Sequence, residues 1–409
     1  MLEVSQSQAQ HLVLDVQGLR SRRPCRSVLD VVRRVHNVQI DTISVVSRSH
    51  DLTVFNRFPK YSEGEVWREE RAGRLFEYWS HAMCLLPVQS FPFYAWIMER
   101  MSEAKKGWQV EWGVKNKETI ESVLEHVKAK GPTASSDIGT REQKSDGWWD
   151  WKKEKLALEY LLVTGRLLVA YREGFQKYYD LTERVLPPAI PSEPMAIDEI
   201  PEYVVDTVFR SIGLGDYRDL KTYMGGLPFR ETWGGRQLVE STLKEHIGST
   251  VEQVTVEGHK DPLYVHKAYT DALTGSGPDT SSEHVMLLSP FDNIVRERHY
   301  PRWLWTFDYK IECYTPVNQR KYGYYALPIL DGSALAGRVD AKVHRDKGLL
   351  ELKSLYIEFD SLKDDDGAAR FAGGLERFAK FHGCSEIELH SVMPRGLRKR
   401  YCEVISSLM

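Results

Sequence analysis

Residues 166–180 read RLLVAYREGFQKYYD, and this stretch decides the fold of its region. Two β-prone runs flank Glu173-Gly174, which predicts a hairpin. Upstream, apolar residues at helical spacing predict helices over 118–130 and 153–164, with a short helix capped near 135–138 between them. Three helices followed by a hairpin is the order of a winged helix, whose third helix commonly enters a DNA groove. Winged helices also serve as protein-interaction modules, so the pattern alone leaves the partner open.

The same order recurs on the C-terminal side of a proline-rich linker at 187–194. Helices are predicted over 201–213, 216–224 and 235–246, and strands over 251–256 and 263–265. From about residue 285 the pattern changes to short alternating strands, predicted over 285–288, 309–314, 322–329, 333–343 and 348–356, with a final helix over 366–382. We therefore expect an α+β protein of tandem winged-helix domains followed by a C-terminal β-barrel-like domain. The expected divisions are a first winged helix at 1–110, a second at 111–187, a third at 188–268 and the barrel at 269–409.

The amino-acid composition excludes fewer classes of function than the predicted order of helices and strands does. The formal net charge is −3, from 55 basic and 58 acidic residues, so any nucleic-acid surface must be local. The five cysteines are scattered without a CxxC pair, which predicts a reduced, cytoplasmic chain without a structural metal. No apolar run of about 18 residues occurs, so we expect no membrane association.

One short segment suggests chemistry. Gln39-Ile40-Asp41 places an amide and a carboxylate two residues apart, where they could orient a water and stabilise a developing positive charge if the backbone is not helical. Taken alone, such a triplet is more often a surface or capping feature. It gains meaning only from the motifs around it.

An ordered set of motifs over nearly the whole chain resembles the bacterial YcaQ/AlkZ-like DNA glycosylases, a family of winged-helix DNA-binding proteins, and is most similar to the branch that acts on interstrand crosslinks. The motifs are Gln39-Ile40-Asp41 with Arg48-Ser49 downstream, Glu77-Tyr78-Trp79-Ser80-His81, Gly147-Trp148-Trp149, Ser289-Pro290-Phe291-Asp292, Glu312-Cys313-Tyr314-Thr315-Pro316, Tyr322-Gly323-Tyr324 and Gly337-Arg338-Val339-Asp340. No single motif is specific, but their order is.

The resemblance implies a monofunctional glycosylase that needs no metal or other cofactor. Its implied partner is double-stranded DNA carrying N7-alkylated or crosslinked guanine, and we expect a monomer. Gln39 and Asp41 match the family's catalytic motif of glutamine, an apolar residue and aspartate. The resemblance further implies DNA contacts from Arg48 and Ser49, and from Arg320 and Lys321 at the tip of a barrel hairpin. His81 could lie near the lesion, although a structural role is the more common one.

Two other classes of function remain open. Asp340, Glu351 and Lys353 lie on consecutive predicted strands at the spacing of a nuclease motif in which two carboxylates hold Mg²⁺. A proline usually precedes the first aspartate of that motif, and in this chain it is missing. A non-enzymatic winged-helix regulator would instead need a dimerisation element or a ligand pocket.

Overall fold

The computed structural model describes residues 2–20, 24–104, 108–138, 153–223, 236–275 and 285–408. They form two compact units. The first unit comprises Met1–Glu63, Val205–Leu220 and Leu243–Met409, and the second comprises Gly64–Val204 and Lys221–Thr242. These units are discontinuous in sequence, whereas the sequence suggested four consecutive domains.

Helices and strands alternate irregularly along the chain. As far as Val185 they are β1 (Leu2–Val4), α1 (Gln6–Val16), α2 (Val28–Val35), β2 (Val38–Gln39), α3 (Ser49–Arg57), α4 (Glu65–Arg71), β3 (Leu75–Trp79), β4 (Met83–Pro87), α5 (Phe91–Glu103), α6 (Trp108–Lys115), α7 (Lys117–Lys130), β5 (Thr133–Ala134), α8 (Lys153–Val163), β6 (Leu167–Glu173), β7 (Gln176–Leu181) and α9 (Thr182–Val185). Beyond it they are α10 (Ile200–Ile212), β8 (Leu214–Gly215), α11 (Tyr217–Tyr223), α12 (Arg236–Glu245), β9 (Val251–Val256), β10 (Leu263–His266), α13 (Thr270–Thr274), β11 (Met286–Leu287), α14 (His299–Trp305), β12 (Ala326–Asp331), β13 (Ala334–His344), β14 (Leu349–Ile357), α15 (Asp365–Phe381), β15 (Glu386–Leu389), β16 (Val392–Met393) and α16 (Arg398–Ser406).

The second unit contains the hairpin predicted from residues 166–180. Glu173 of β6 pairs with Gln176 of β7, so the turn is Gly174-Phe175, and both turn residues have positive φ. This is the geometry of the tight turns that match strand twist. Helices α7 and α8 precede the hairpin, each burying one apolar side. The helices predicted over 118–130 and 153–164 and the hairpin are therefore confirmed. The short helix expected near 135–138 is not seen there, because residues 135–138 form a turn, and the assignment of this region to a winged helix stays a prediction. The Gly147-Trp148-Trp149 motif lies outside the described residues.

The first unit includes a four-stranded sheet in the order β1-β9-β10-β8. Strands β9 and β10 pair around Gly258, as the sequence predicted for residues 251–265. Strand β1 extends this sheet by pairing in parallel with β9, with Leu2 opposite Val254. Helix α1 packs its buried side, including Leu12 and Val13, into the core that this sheet covers.

The C-terminal part of the first unit is built on a curled, half-barrel sheet in the order β11-β12-β13-β14-β15, with β16 also pairing with β14. Bulges between Ile329 and Leu330 and between Asp340 and Ala341 interrupt the register and bend the strands. The strands predicted over 309–314 and 322–325 are wrong. Those residues form a long loop, because the Glu312 carboxylate accepts backbone N–H groups that strand pairing would have needed.

Among the described residues, no helix is both long enough and apolar enough to span a bilayer.

Candidate active site

Gln39 and Asp41 lie just after helix α2, at a helix end that is held from a distant part of the chain. The Asn293 amide donates to the carbonyls of Val35 and Asn37 at 3.2 and 3.1 Å. Arg296 donates to the Asn37 side chain at 2.9 Å. These bonds satisfy carbonyls that the end of a helix leaves without intrahelical partners. They fix the point from which the Gln39 segment starts.

Burial alternates along this segment. Val38 and Ile40 are buried, whereas Gln39 and Asp41 are half-buried and Thr42 is exposed. Successive side chains of an extended backbone point to opposite sides, and this burial pattern agrees with Val38 and Ile40 facing the core. Gln39 and Asp41 are both partly open to solvent, and their joint role in a site stays a prediction.

The Asp41 carboxylate sits in a partly desolvated position. Burial raises the pKa of this group, and the N–H of Ile43, which donates to its Oδ1 at 2.7 Å, opposes that rise. Its negative charge also raises the pKa values of Cys313 and Tyr325, after the larger effect of burial on each. Asp41 therefore faces the loop that precedes β12.

The segment after Asp41 is pinned to strand β13. The backbone N–H of Val343 donates to the carbonyl of Val45 at 3.0 Å, and the Arg345 guanidinium donates to the carbonyl of Val46 at 2.8 Å. Both ends of the segment that carries the candidate pair are thus held by the C-terminal part of the first unit.

The Ser289–Asp292 motif has a structural role. Arg57 forms a bidentate ion pair with Asp292, with N···O distances of 2.7 and 2.9 Å, and neither side chain is exposed. Arg57 also donates to the carbonyl of Gln17 at 2.7 Å. Removing one member of a buried pair typically costs about 3–5 kcal/mol, because the other charge stays buried. This pair fixes helix α3, which follows the candidate site.

The residues expected to contact DNA lie on different elements. Arg48 is half-buried at the N-terminus of α3. Ser49 is fully buried, and its hydroxyl accepts a hydrogen bond from Ser289 at 2.9 Å, which fits a role in holding α3 better than a DNA contact. His81 lies in the second unit between β3 and β4, with its Nδ1 3.7 Å from the Cys84 sulfur.

Arg320 and Lys321 occupy the loop before β12 and not a hairpin tip. Arg320 is half-buried, donates to the carbonyl of Thr315 at 2.9 Å and lies 5.0 Å from the Tyr324 ring centre. Lys321 is exposed and lies 4.7 Å from the Tyr322 ring centre. The Arg320 charge acts to lower the pKa of the Cys313 thiol, which Asp41 acts to raise. Both charged groups therefore lie near Cys313.

The residues of the nuclease pattern have other partners. The two Glu351 oxygens meet the Nε2 atoms of His344 and His390 at 2.8 and 3.1 Å. Burial raises the pKa of Asp340, while its neighbours Lys353, Tyr325 and Tyr324 act to lower it, the two tyrosines through their backbone N–H groups. Asp340 therefore supports the loop before β12.

One cluster in the described part of the chain brings three potential metal ligands together. Asp216, Asp219 and His299 place one ligand atom each within 4.8 Å of one another. Their groups already bond within the protein: His299 Nε2 lies 2.8 Å from Asp219, and Arg218 donates to Asp216. The N–H of Asp216 donates to Asp219 at 2.8 Å. These bonds cap the start of α11, so the cluster has a structural explanation.

A half-buried carboxylate and amide beside a basic, aromatic loop suit a hydrolase of N-glycosidic bonds in DNA, and comparison with known proteins gives the same class. A family model described as DNA glycosylase AlkZ-like matches residues 32–381. The chain therefore belongs to the AlkZ-like DNA glycosylase family. A similar solved structure is the DNA glycosylase AlkZ of Streptomyces sahachiroi, which is 16% identical, with 96% of this chain and 100% of that chain covered and a TM-score of 0.67. At this identity, the likeness shows a shared fold.

Several residues near the candidate site have roles that sequence reasoning did not assign. Glu312, Cys313 and Tyr314 belong to a motif noted for its resemblance alone, and Asn293 and Arg296 lie directly after another. None of them carried a local signal: the Glu312 carboxylate, for example, accepts from backbone N–H groups nine to eleven residues further along the chain.

Proposed function

We propose that this protein removes N7-alkylated guanine from double-stranded DNA and unhooks interstrand crosslinks made through that position, as a monofunctional, metal-independent monomer. The observation that carries the proposal is the half-buried Asp41 carboxylate, two residues along the chain from the half-buried Gln39 amide. A glycosylase in this family needs a group that stabilises positive charge and a group that directs water, and these two supply both.

The chemistry of the lesion explains why so few residues suffice. An N7-alkylated guanine carries a positive charge and leaves as a neutral base, so no general acid is required. The sugar left behind develops oxocarbenium character, as in other glycoside hydrolyses. The ionised Asp41 carboxylate would stabilise that charge, and its partial burial strengthens the interaction because water screens it less. Gln39 can donate to or accept from the attacking water and so fix its approach.

DNA contacts are assigned to Arg48, Arg320 and Lys321, whose cationic side chains can pair with phosphates. We assign Ser49 to holding helix α3 in place. His81 stays a candidate for a DNA contact made by the second unit. The assignment of the second unit's helices and hairpin to a winged helix suits a DNA-binding role for that unit.

The decisive test is excision by the Asp41→Asn variant. We expect release of 7-methylguanine from methylated duplex DNA by the wild-type protein, with and without EDTA, and a loss of at least 100-fold in the variant, the scale of removing one group that stabilises transition-state charge. DNA binding should be retained. Asp360→Asn is a matched control, because this carboxylate of the same unit is 95% exposed and pairs with Lys363, three residues along the chain.

Each alternative has its own outcome in this assay. Strand cleavage that EDTA abolishes would support the nuclease built on Asp340 and Glu351. Binding without base release by the wild-type protein would support a regulator. Retained excision by Asp41→Asn would remove Asp41 from the mechanism.

A further inference from the structure

The loop from Glu312 to Gly323, which we name the clamped loop, is held by its own first residue. The Glu312 carboxylate accepts the backbone N–H groups of Lys321, Tyr322 and Gly323 at 3.1, 2.8 and 3.1 Å. Burial acts to raise the pKa of Glu312, but these three donors bring the pKa below its usual value. The Glu312 carboxylate thus holds the two ends of the loop together while it is ionised.

Further bonds fix the rest of the clamped loop. The Tyr356 hydroxyl donates to the carbonyl of Lys321 at 3.0 Å, and Arg320 donates to that of Thr315. Gly323, at φ 130°, approaches Asp340 so closely that a Cβ added there would lie 2.2 Å from Oδ2. The clamped loop is therefore ordered before any ligand arrives, which lowers the entropic cost of binding.

This ordered loop presents apolar surface to water. Tyr314 is 86% exposed and Val317 is 76% exposed, and Tyr324, just beyond the loop, is 36% exposed. Large exposed apolar side chains that cluster together mark a binding surface more often than scattered ones do. Arg320 and Lys321 add positive charge to the same loop, which favours an anionic partner with flat apolar faces.

Tyr314 belongs to a loop that packs against strand β13, as the segment carrying Asp41 does: Gly323 approaches Asp340, and the Val343 N–H donates to the carbonyl of Val45. The pKa of Tyr314 is raised by Cys313, by partial burial and by the negative charge of Asp41. The aromatic side chain is thus near the place where the lesion would react.

We propose that Tyr314 stacks on the base adjacent to the lesion, while Arg320 and Lys321 of the clamped loop pair with the flanking phosphates. This inference rests on the proposed function. An aromatic ring stacks on any base, so Tyr314 would hold the duplex open beside the damaged nucleotide without selecting a sequence. It is a positioning residue that acts through the DNA, whereas Asp41 acts on the sugar.

The test uses duplexes that carry 2-aminopurine next to a 7-methylguanine nucleotide whose sugar is 2′-fluorinated to prevent cleavage. Stacking on Tyr314 in place of the neighbouring base should change the 2-aminopurine fluorescence when the wild-type protein binds. We expect Tyr314→Ala to lose this change and to bind the duplex roughly 5- to 100-fold more weakly, the range for removing one stacked aromatic, whereas Tyr314→Phe keeps both. Phe359→Ala is the control, since Phe359 is an exposed aromatic of the same unit outside the clamped loop.

The outcomes separate this inference from the proposed function. If the wild-type protein fails to excise 7-methylguanine from an unfluorinated duplex, the proposed function fails, and the fluorescence on the uncleavable duplex still decides whether Tyr314 stacks. If excision occurs and Tyr314→Ala matches the wild-type protein in fluorescence and affinity, the stacking role is wrong. Equal thermal midpoints of the variants would show that the exposed substitution leaves folding unchanged.

Discussion

Glu70→Gln should change how the stability of the second unit depends on pH. Glu70 of α4 and Glu77 of β3 are both buried, at 2% and 0% exposure. Arg172 of β6 forms an ion pair with Glu77. The contact from Arg172 Nη2 to Glu77 is 2.6 Å. In the described structure, neither Glu70 oxygen meets a hydrogen-bond donor, although Glu70 and Glu77 lie close enough to share a proton. Arg172 thus bonds directly to one of two buried carboxyl groups, and the charges of Arg172 and Lys177 act on both.

The pKa values of the two carboxyl groups are therefore shifted in opposite directions. Burial, followed by the charge of Glu77, raises the pKa of Glu70 well above its usual value, whereas the effect of burial on Glu77 is overcome by Arg172, which lowers the pKa of that group. A group with a raised folded-state pKa contributes stability below its unfolded pKa, and this contribution is lost as the pH rises toward the folded value. Glu70 should thus weaken the unit progressively above about pH 4.5, the unfolded value for glutamate. Each unit of pKa shift corresponds to about 1.4 kcal/mol.

Glutamine keeps the shape and the donor of a protonated Glu70 but cannot ionise. We expect Glu70→Gln to match the wild-type protein near pH 4.5 and to exceed it by about 1–3 kcal/mol at pH 8, the cost of a buried group left without a hydrogen-bond donor, as measured by urea unfolding across this range. Glu77→Gln is the contrasting variant: it should destabilise the protein, because Arg172 loses its bidentate acceptor, and it should lessen the rise in the pKa of Glu70, because the neighbouring negative charge is gone. Identical pH slopes for Glu70→Gln and the wild-type protein would refute the shared-proton explanation.

Two further predictions concern the supports of the candidate active site. Asp292→Ala should lower the free energy of unfolding by about 3–5 kcal/mol, because Arg57 stays buried without its partner, and a loss below about 1 kcal/mol in chemical denaturation would contradict this estimate. Gly323→Ala should cost about 1–3 kcal/mol, because an L-residue is strained at φ 130° and the new Cβ would displace Asp340. Its thermal midpoint should fall, whereas Gly373→Ala, where an added Cβ meets open space within helix α15, should leave the midpoint unchanged or raise it.

Local patterns predicted the local elements well. The helix predicted over 118–130 and the strand predicted over 251–256 match α7 and β9 to within one residue, and the hairpin after α8 follows from its turn sequence. The clamped loop was misjudged because its tyrosines favour strands, while the Glu312 carboxylate competes for the backbone N–H groups. Strand β1 was missed because its partner, β9, lies about 250 residues away, and no local signal reports such pairing.

The candidate site was predictable only in part. The order of motifs led to Gln39 and Asp41, and the alternation of apolar and polar residues matches the alternation of burial along 38–41. The roles of Asn293 and Arg296 depend on contacts between residues more than 250 positions apart, which one sequence does not reveal. The same holds for Tyr314, whose importance arises from its exposure near Asp41 and not from its residue type.

The bonds that hold the Gln39–Asp41 segment have a consequence for protein synthesis. The segment emerges early from the ribosome, but the side chains and backbone groups that fix it come from Asn293, Arg296, Val343 and Arg345. A nascent chain that stops before these residues contains the amide and the carboxylate without the scaffold that sets their positions. Assembly of the candidate site is thereby coupled to translation past Arg345, so abortive translation products would lack it.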